Sequence, residues 1–222
     1  MAGLVRICSL LVLCLALPAQ ADRGALTFEL GGGGSGTLLT APSPGGFTLR
    51  TSTTTPVTSG TGWLGVRYAL SNNLELGVSG FYEPTVSVFH NQIVLDSATP
   101  PTSTFPGTLN HRHSAYGALA GARWVMGSVW RFSFGLDVGW ARRNYTALAH
   151  YDDRNPTAAT DYRLPLTDFA TDMALLSAAT GLEWAFSDKL SIAVLPRVHF
   201  GLGRGGVPAL VLPVVVSYSW YL

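Results

Sequence analysis

The chain has 222 residues, 47% of them hydrophobic and only 12% charged, so it is apolar enough to fold and too poor in charge for an ordinary soluble surface. Fourteen Lys plus Arg stand against 13 Asp plus Glu, a formal net charge of +1 with no basic block, which argues against nucleic acid as a partner. Wholesale disorder is equally disfavoured, and 25 Gly with 13 Pro in this length suit one all-β domain.

Arg6, the apolar run from Ile7 to Leu17 and the small-residue site Ala19-Gln20-Ala21 predict a secretory signal peptide over residues 1–21, with a mature domain over 22–222. The run is too short to span the ~30 Å of a hydrocarbon core, and Pro18 ends it. Lipoprotein processing at Cys14 would need a small residue where Leu13 stands. Cleavage would remove Cys8 and Cys14, the only two cysteines, leaving no disulfide, thiolate nucleophile or Cys-based metal site.

Along the rest of the chain the period is two. Leu26, Phe28 and Leu30 alternate with Thr27 and Glu29, and Leu64, Val66, Tyr68 and Leu70 with Trp63, Gly65, Arg67 and Ala69. Ser71-Asn72-Asn73 then makes a tight turn into Leu74, Leu76 and Val78, alternating with Glu75, Gly77 and Ser79, so these two runs form an antiparallel hairpin. Ala- and Gly-rich segments over 114–126 and 174–186 each place a Trp, Trp124 and Trp184, just before a turn. Between them Trp130, Phe132, Phe134, Leu136, Val138 and Trp140 alternate with Arg131, Ser133, Gly135, Asp137, Gly139 and Ala141. Leu190, Ile192, Val194, Val198 and Phe200 oppose Ser191, Ala193, Arg197 and His199, and Val214, Val216, Tyr218, Trp220 and Leu222 close the chain.

These segments are paired by short turns at 71–73, 127–128 and 187–189, and joined at their other ends by long polar stretches at 31–60, 83–112 and 142–171 and a shorter one at 203–208. Short turns on one side, long loops on the other and strands of about 9–11 residues predict an all-β, antiparallel transmembrane β-barrel of eight strands. Tyr68, Trp124, Trp130, Trp184, Phe186 and Trp220 fall beside the short turns or the C-terminus, and Tyr82, Tyr116, Trp140 and Phe200 toward the long loops. Two such belts favour a barrel over a soluble β-sandwich. A second alternation over Val86 to Leu95, around His90-Asn91, allows strands that rise above the membrane, or ten strands; eight is the reading taken.

The pattern resembles the small eight-stranded outer-membrane barrels, the OmpA transmembrane-domain and OmpX kind. Tyr218, Trp220 and Leu222 look like the alternating aromatic and apolar ending that serves those proteins as an assembly signal, although Leu222 stands where they typically end in Phe. The resemblance implies a bacterial outer-membrane location, with membrane lipid and the barrel assembly machinery as partners.

The face opposite the apolar set carries Glu29, Arg67, Glu75, Arg123, Arg131, Asp137, Glu183 and Arg197, acids and bases in balance. Because an eight-stranded barrel is only wide enough for side chains to fill, these charges are expected to pair inside and plug the lumen; the alternative is a narrow channel for small solutes. His90, His111, His113, His150 and His199 all lie in or near the long stretches. His111 and His113 share a strand face and could reach one metal ion, but imidazoles without a carboxylate partner read first as polar loop residues, so no metal or other cofactor is expected.

Some small barrels are lipid A deacylases or acyltransferases, and a deacylase resemblance needs His and Ser two apart on one face. Gly201 stands two past His199, His113 and Ser114 point oppositely, and Asp152, Asp153 and Asp161 share one polar loop, so no enzyme is expected. The hydroxyl-rich first stretch (Ser35, Ser43, Thr51 to Thr55, Ser59) and a third with Tyr145, Tyr151 and Tyr162 among Arg142, Arg143, Arg154 and Arg163 suit binding. The expectation is a non-enzymatic barrel acting in surface interaction, or as the membrane component of an envelope assembly.

Overall fold

A computed structural model describes residues 23–41, 47–51, 54–97, 104–152, 163–165, 168–202 and 208–221; residues 1–21, expected from the sequence to be a signal peptide, and Leu222 lie outside them. The described strands are β1 (Ala25–Thr40), β2 (Phe47–Thr51), β3 (Thr54–Ala69), β4 (Leu74–Ser97), β5 (Thr104–Met126), β6 (Trp130–Asp152), β7 (Arg163–Pro165), β8 (Phe169–Ala185), β9 (Leu190–Val194), β10 (Arg197–Leu202) and β11 (Ala209–Tyr221). A twisted antiparallel sheet that must leave no backbone edge in hydrocarbon closes on itself, and here β1 pairs with both β3 and β11. The ring runs β1, β3, β4, β5, β6, β8, then β9 with β10, then β11, giving eight staves.

β9 and β10 are two halves of one stave, parted at Leu195-Pro196. Both hold one register on β11, with Val194 opposite Val214 and Arg197 opposite Val211. The alternation is kept across the break, so Ser191, Ala193, Leu195, Arg197 and His199 all point inward.

The outer surface is an apolar band between the two aromatic girdles. Leu30, Leu64, Val78, Phe134, Leu136 and Val138 are each more than half exposed, as only lipid-facing residues of this size would be. From Trp130 to Trp140 the band is roughly 25 Å tall for a strand tilted by ~40°. Tyr116 packs edge-on against Trp140, with ring centroids 5.8 Å apart, in the upper girdle, and Trp130 stacks on Trp184 at 5.9 Å in the lower one.

The long polar stretches are largely strand, which corrects their reading as loops. β1 runs on to Thr40, β3 starts at Thr54, β4 continues to Ser97, β5 begins at Thr104 and β6 ends at Asp152, while β2 and β7 pair with the tops of β4 and β6. Above the girdle the outer face meets water, so Ser87, Asn91 and Arg112 can point outward and the hydropathy alternation fades. Two β-bulges in β4, between Glu83 and Val86 and between His90 and Ile93, also shift the phase of inward positions each time. Gln92 sits in the second bulge with φ of 56°, in left-handed space.

Close strand approach fixes some glycines and not others. A Cβ on Gly139 would collide with the Ala118 carbonyl of β5, whereas one on Gly36 would meet nothing within 4 Å. Gly139→Ala should destabilise the refolded barrel by about 1–3 kcal/mol in urea unfolding, and Gly36→Ala should stay within about 0.5 kcal/mol of the parent.

Candidate functional site: the packed lumen and its outward extension

Inward positions build three layers. The lowest holds the charges. Arg67 Nε donates to Glu29 Oε1 at 3.0 Å, and Arg123 reaches three carboxylates: Glu75 at 2.7 Å, Glu29 at 3.0 Å and Glu183 at 3.9 Å. Arg131 meets Glu183 at 3.4 Å, and Arg197 meets Asp137 at 2.6 Å. All eight inward charges named from the sequence are thus brought together within the lumen, three Arg against three Glu below and one Arg–Asp pair above. Registers make the pairing local: Glu75 lies opposite Arg123 across β4 and β5, and Arg131 opposite Glu183 across β6 and β8.

Trp63 joins this layer to the next. Its Nε1–H donates to Glu29 Oε2 at 3.4 Å, and the Arg197 guanidinium lies 4.2 Å from its ring centroid. With Trp63, the side chains of Phe81, Leu119, Met173, Leu175 and Leu195 form a buried apolar cluster across the barrel, and the charged Glu83 and Arg143 are buried as well.

Asp137, Ser177 and His199 lie in one row on β6, β8 and β10, a juxtaposition that the sequence could not display because it depends on register across three strands. It is not an assembled catalytic triad: Asp137 Oδ2 is held by Arg197, and Ser177 Oγ and His199 Nε2 make no hydrogen bond among the described residues.

The third layer fills the extension above the upper girdle, and it corrects the histidine reading. His90, His111 and His113 are inside the extension, at most 2% exposed, because the bulges turn β4 so that His90 faces the β5 pair. His90 Nε2 lies 3.1 Å from His111 Nε2, and the Tyr145 ring packs against both His111 and His113, at 5.3 and 5.7 Å between centroids. Burial lowers His90 and His111 from the ordinary 6.5 to about 4, and burial with Arg143 nearby lowers His113 to about 3, so all three are neutral at pH 7. An apolar cap of Ala41, Ile93, Leu95 and Leu109 closes the top. His150 is opposite Leu109 on β6; its side chain and those of Asp152, Asp153, Tyr151, Arg154, Asp161, Tyr162 and Arg163 lie outside the described residues. Among the described residues no three His, Asp or Glu side chains are already converged as a metal centre.

A closed eight-stranded wall, an uncharged apolar band between aromatic girdles and a side-chain-filled lumen define a small transmembrane β-barrel of the outer-membrane kind. No family model matches the sequence, and no curated protein matches it either. Solved structures do: Neisserial surface protein A, NspA, is 11% identical with a TM-score of 0.50, covering 89% of this chain and 100% of that one. Ail of Yersinia pestis, solved with the heparin analogue sucrose octasulfate, is 10% identical with a TM-score of 0.48 over 89% of this chain and 99% of its own. OprG of Pseudomonas aeruginosa is 14% identical with a TM-score of 0.43 over 90% and 98%. The likeness to NspA is one of fold, and with the apolar band it makes this a bacterial outer-membrane barrel.

Removing the central cation leaves Glu75 with no ion-pair partner among the described residues, and Glu29 and Glu183 with one arginine each. Arg123→Met should therefore destabilise the refolded barrel by about 3–5 kcal/mol or prevent refolding. Arg50→Ala, which cuts an exposed pair to Asp96 at 3.3 Å, should cost at most about 1 kcal/mol in the same urea titration.

Proposed function

We propose that this chain is a non-enzymatic outer-membrane barrel with a closed lumen, whose extracellular β-extension acts in surface interaction, alone or as the membrane component of an envelope assembly. The observation that carries this reading is strand length. β4, β5 and β6 have 24, 23 and 23 residues, about twice the 9–11 that cross a bilayer. From Tyr82 to Ser97 β4 rises roughly 35 Å above the girdle, at ~3.3 Å per residue and ~40° of tilt. Ordering a backbone residue costs about 1–2 kcal/mol, so a barrel serving only as an anchor gains nothing from so tall a wall.

The lumen supports the same reading. A narrow channel would need Arg67, Arg123, Arg131 and Arg197 free to meet a solute, yet each is engaged by a carboxylate and a buried apolar cluster crosses the lumen beside them. Tyr218 and Trp220, outward at the end of β11, serve in this proposal as the part of the assembly signal within the described residues, read by the barrel assembly machinery. NspA, which shares the fold, carries the name of a surface protein.

Two measurements test the proposal. The refolded protein in a planar bilayer should show no steady openings; regular conductance steps altered by Arg131→Ala would transfer the function to the lumen. Replacing residues 84–114 by Asn-Gly, between the paired Glu83 and Ala115, should leave a barrel that refolds while adhesion of expressing cells and co-purifying partners are lost. Adhesion and partners both unchanged in that variant would sink the surface role.

A further inference from the structure

Above the upper girdle the wall of the extension has a seam. The ladder between β3 and β4 ends at Gly62–Tyr82, while β3 stays paired with β1 as far as Thr54–Thr40 and β4 with β5 as far as Asp96–Thr104. The short β2 ladder on β4, from Phe47–Ser97 to Thr51–Val94, bounds the seam at its top. Between these two ladders side chains hold the β1–β3 hairpin to the β4–β5–β6 sheet. Leu39 and Val57 of the hairpin cluster with Val88 of β4, the Ser35 hydroxyl donates to the Glu83 carboxylate, and Thr55 reaches the Phe89 carbonyl and His90.

The contacts of His90 depend on its charge. The Thr55 hydroxyl donates to the Phe89 carbonyl at 3.3 Å, so its oxygen accepts from His90 Nδ1 at 2.9 Å. His90 Nε2 is then a lone pair, and it accepts the Nε2–H of His111 at 3.1 Å, with the two rings stacked 5.2 Å apart. A second proton on His90 would set two N–H groups against each other across that distance. The surroundings do not offset the added charge. Arg143 and Tyr145 of β6 stand beside His113 of β5, and the Glu83 carboxylate is already taken up by Ser35 and Arg143. β2 and β8 contribute Leu49 and Phe169, and His199 of β10 is again near Arg143.

We propose that His90 and His111 form an acid-sensitive latch on this seam, whose protonation parts the β1–β3 hairpin from the β4–β5–β6 sheet and lets water into the extension. Closed, the two imidazoles stay neutral down to about pH 4, whereas in water each takes up its proton near 6.5. Between those values the open form holds more protons, so falling pH favours opening. The shift is roughly 50–100-fold between pH 7.5 and 4.5 for each imidazole released. The bulges at Glu83/Val86 and His90/Ile93 bound the stretch that moves, and below Gly62–Tyr82 the ladder keeps the membrane-embedded barrel closed. Opening uncovers Leu39, Val57 and Val88, an apolar lining hidden at neutral pH. This inference does not rest on the surface role, since the latch would work whatever the extension binds.

Hydrogen exchange read by mass spectrometry tests the latch on the mature barrel, residues 22–222, refolded in detergent micelles. With intrinsic rates corrected for pH, segments 54–61 and 86–90 should lose at least about 50-fold in protection from pH 7.5 to 4.5, while segment 130–140 keeps its own. The double variant His90→Gln, His111→Gln should hold its seam protection within about 3-fold over the same range, and His199→Gln should respond as the parent does. Unchanged seam protection in the parent at pH 4.5 would overturn the latch. So would an equal loss in the double variant, or a loss shared by 130–140, which is general acid unfolding. Should the Gln variants fail to refold, Thr55→Val decides: without the acceptor for His90 Nδ1 its seam should open at a higher pH than the parent's, and an identical profile would refute the proposal.

Discussion

The structure depends on one guanidinium. Arg123 stands among Glu29, Glu75 and Glu183, drawn from three other strands, and ties β5 to β1, β4 and β8 across the lumen. An ion network at this depth does not stabilise cheaply, because each charge gives up its hydration and regains it only through close, well-directed partners. The closed wall makes the exchange work. Eight staves leave an interior that side chains can fill, so most of the partners are held within ion-pair distance. Removing a member is costly for the same reason, since Glu75, for one, meets no cation other than Arg123 among the described residues.

From that network the other layers follow in order. Trp63 takes up Glu29 with its indole N–H and Arg197 with its ring, so the Arg197–Asp137 pair is seated on an aromatic surface that belongs to the buried apolar cluster. Polar and apolar side chains interleave there: His199 packs against Phe81 with ring centroids 5.2 Å apart, and Glu83 and Arg143 are buried as well.

The membrane-embedded part was legible in the sequence because hydrocarbon penalises every polar outward side chain. Leu136 must point out if Asp137 points in, and a strict period of two results. The extension was legible only in part, through the alternation over Val86 to Leu95, because that penalty ends at the girdle. Ser87, Asn91 and Arg112 can face water without cost, so alternation no longer marks a strand, and the bulges at Glu83/Val86 and His90/Ile93 break what alternation remains. The charges at Glu29, Arg67 and Arg123 could be assigned to the interior from their phase alone, whereas which carboxylate meets which guanidinium rests on the strand registers. The row of Asp137, Ser177 and His199 was hidden for that second reason, and the His90–His111 pair for both.

The first bulge of β4 has an energetic meaning of its own. Had the phase of Glu75, Ser79 and Phe81 continued unbroken, Phe89 would point inward and His90 outward, the arrangement that hydrophobicity favours. The extra residue between Glu83 and Val86 exchanges them: Phe89 is 54% exposed and His90 is fully buried. The barrel thus forgoes roughly 1.5–3 kcal/mol of aromatic burial and takes on the desolvation of an imidazole in its place. The second bulge then restores the original phase, so that Ile93 and Leu95 close the cap and the inversion is confined to the stretch that carries His90. A local choice that opposes the hydrophobic pattern, bounded on both sides by its own correction, is where a sequence departs from stability in favour of function. The group brought inside by that departure is the imidazole that faces His111.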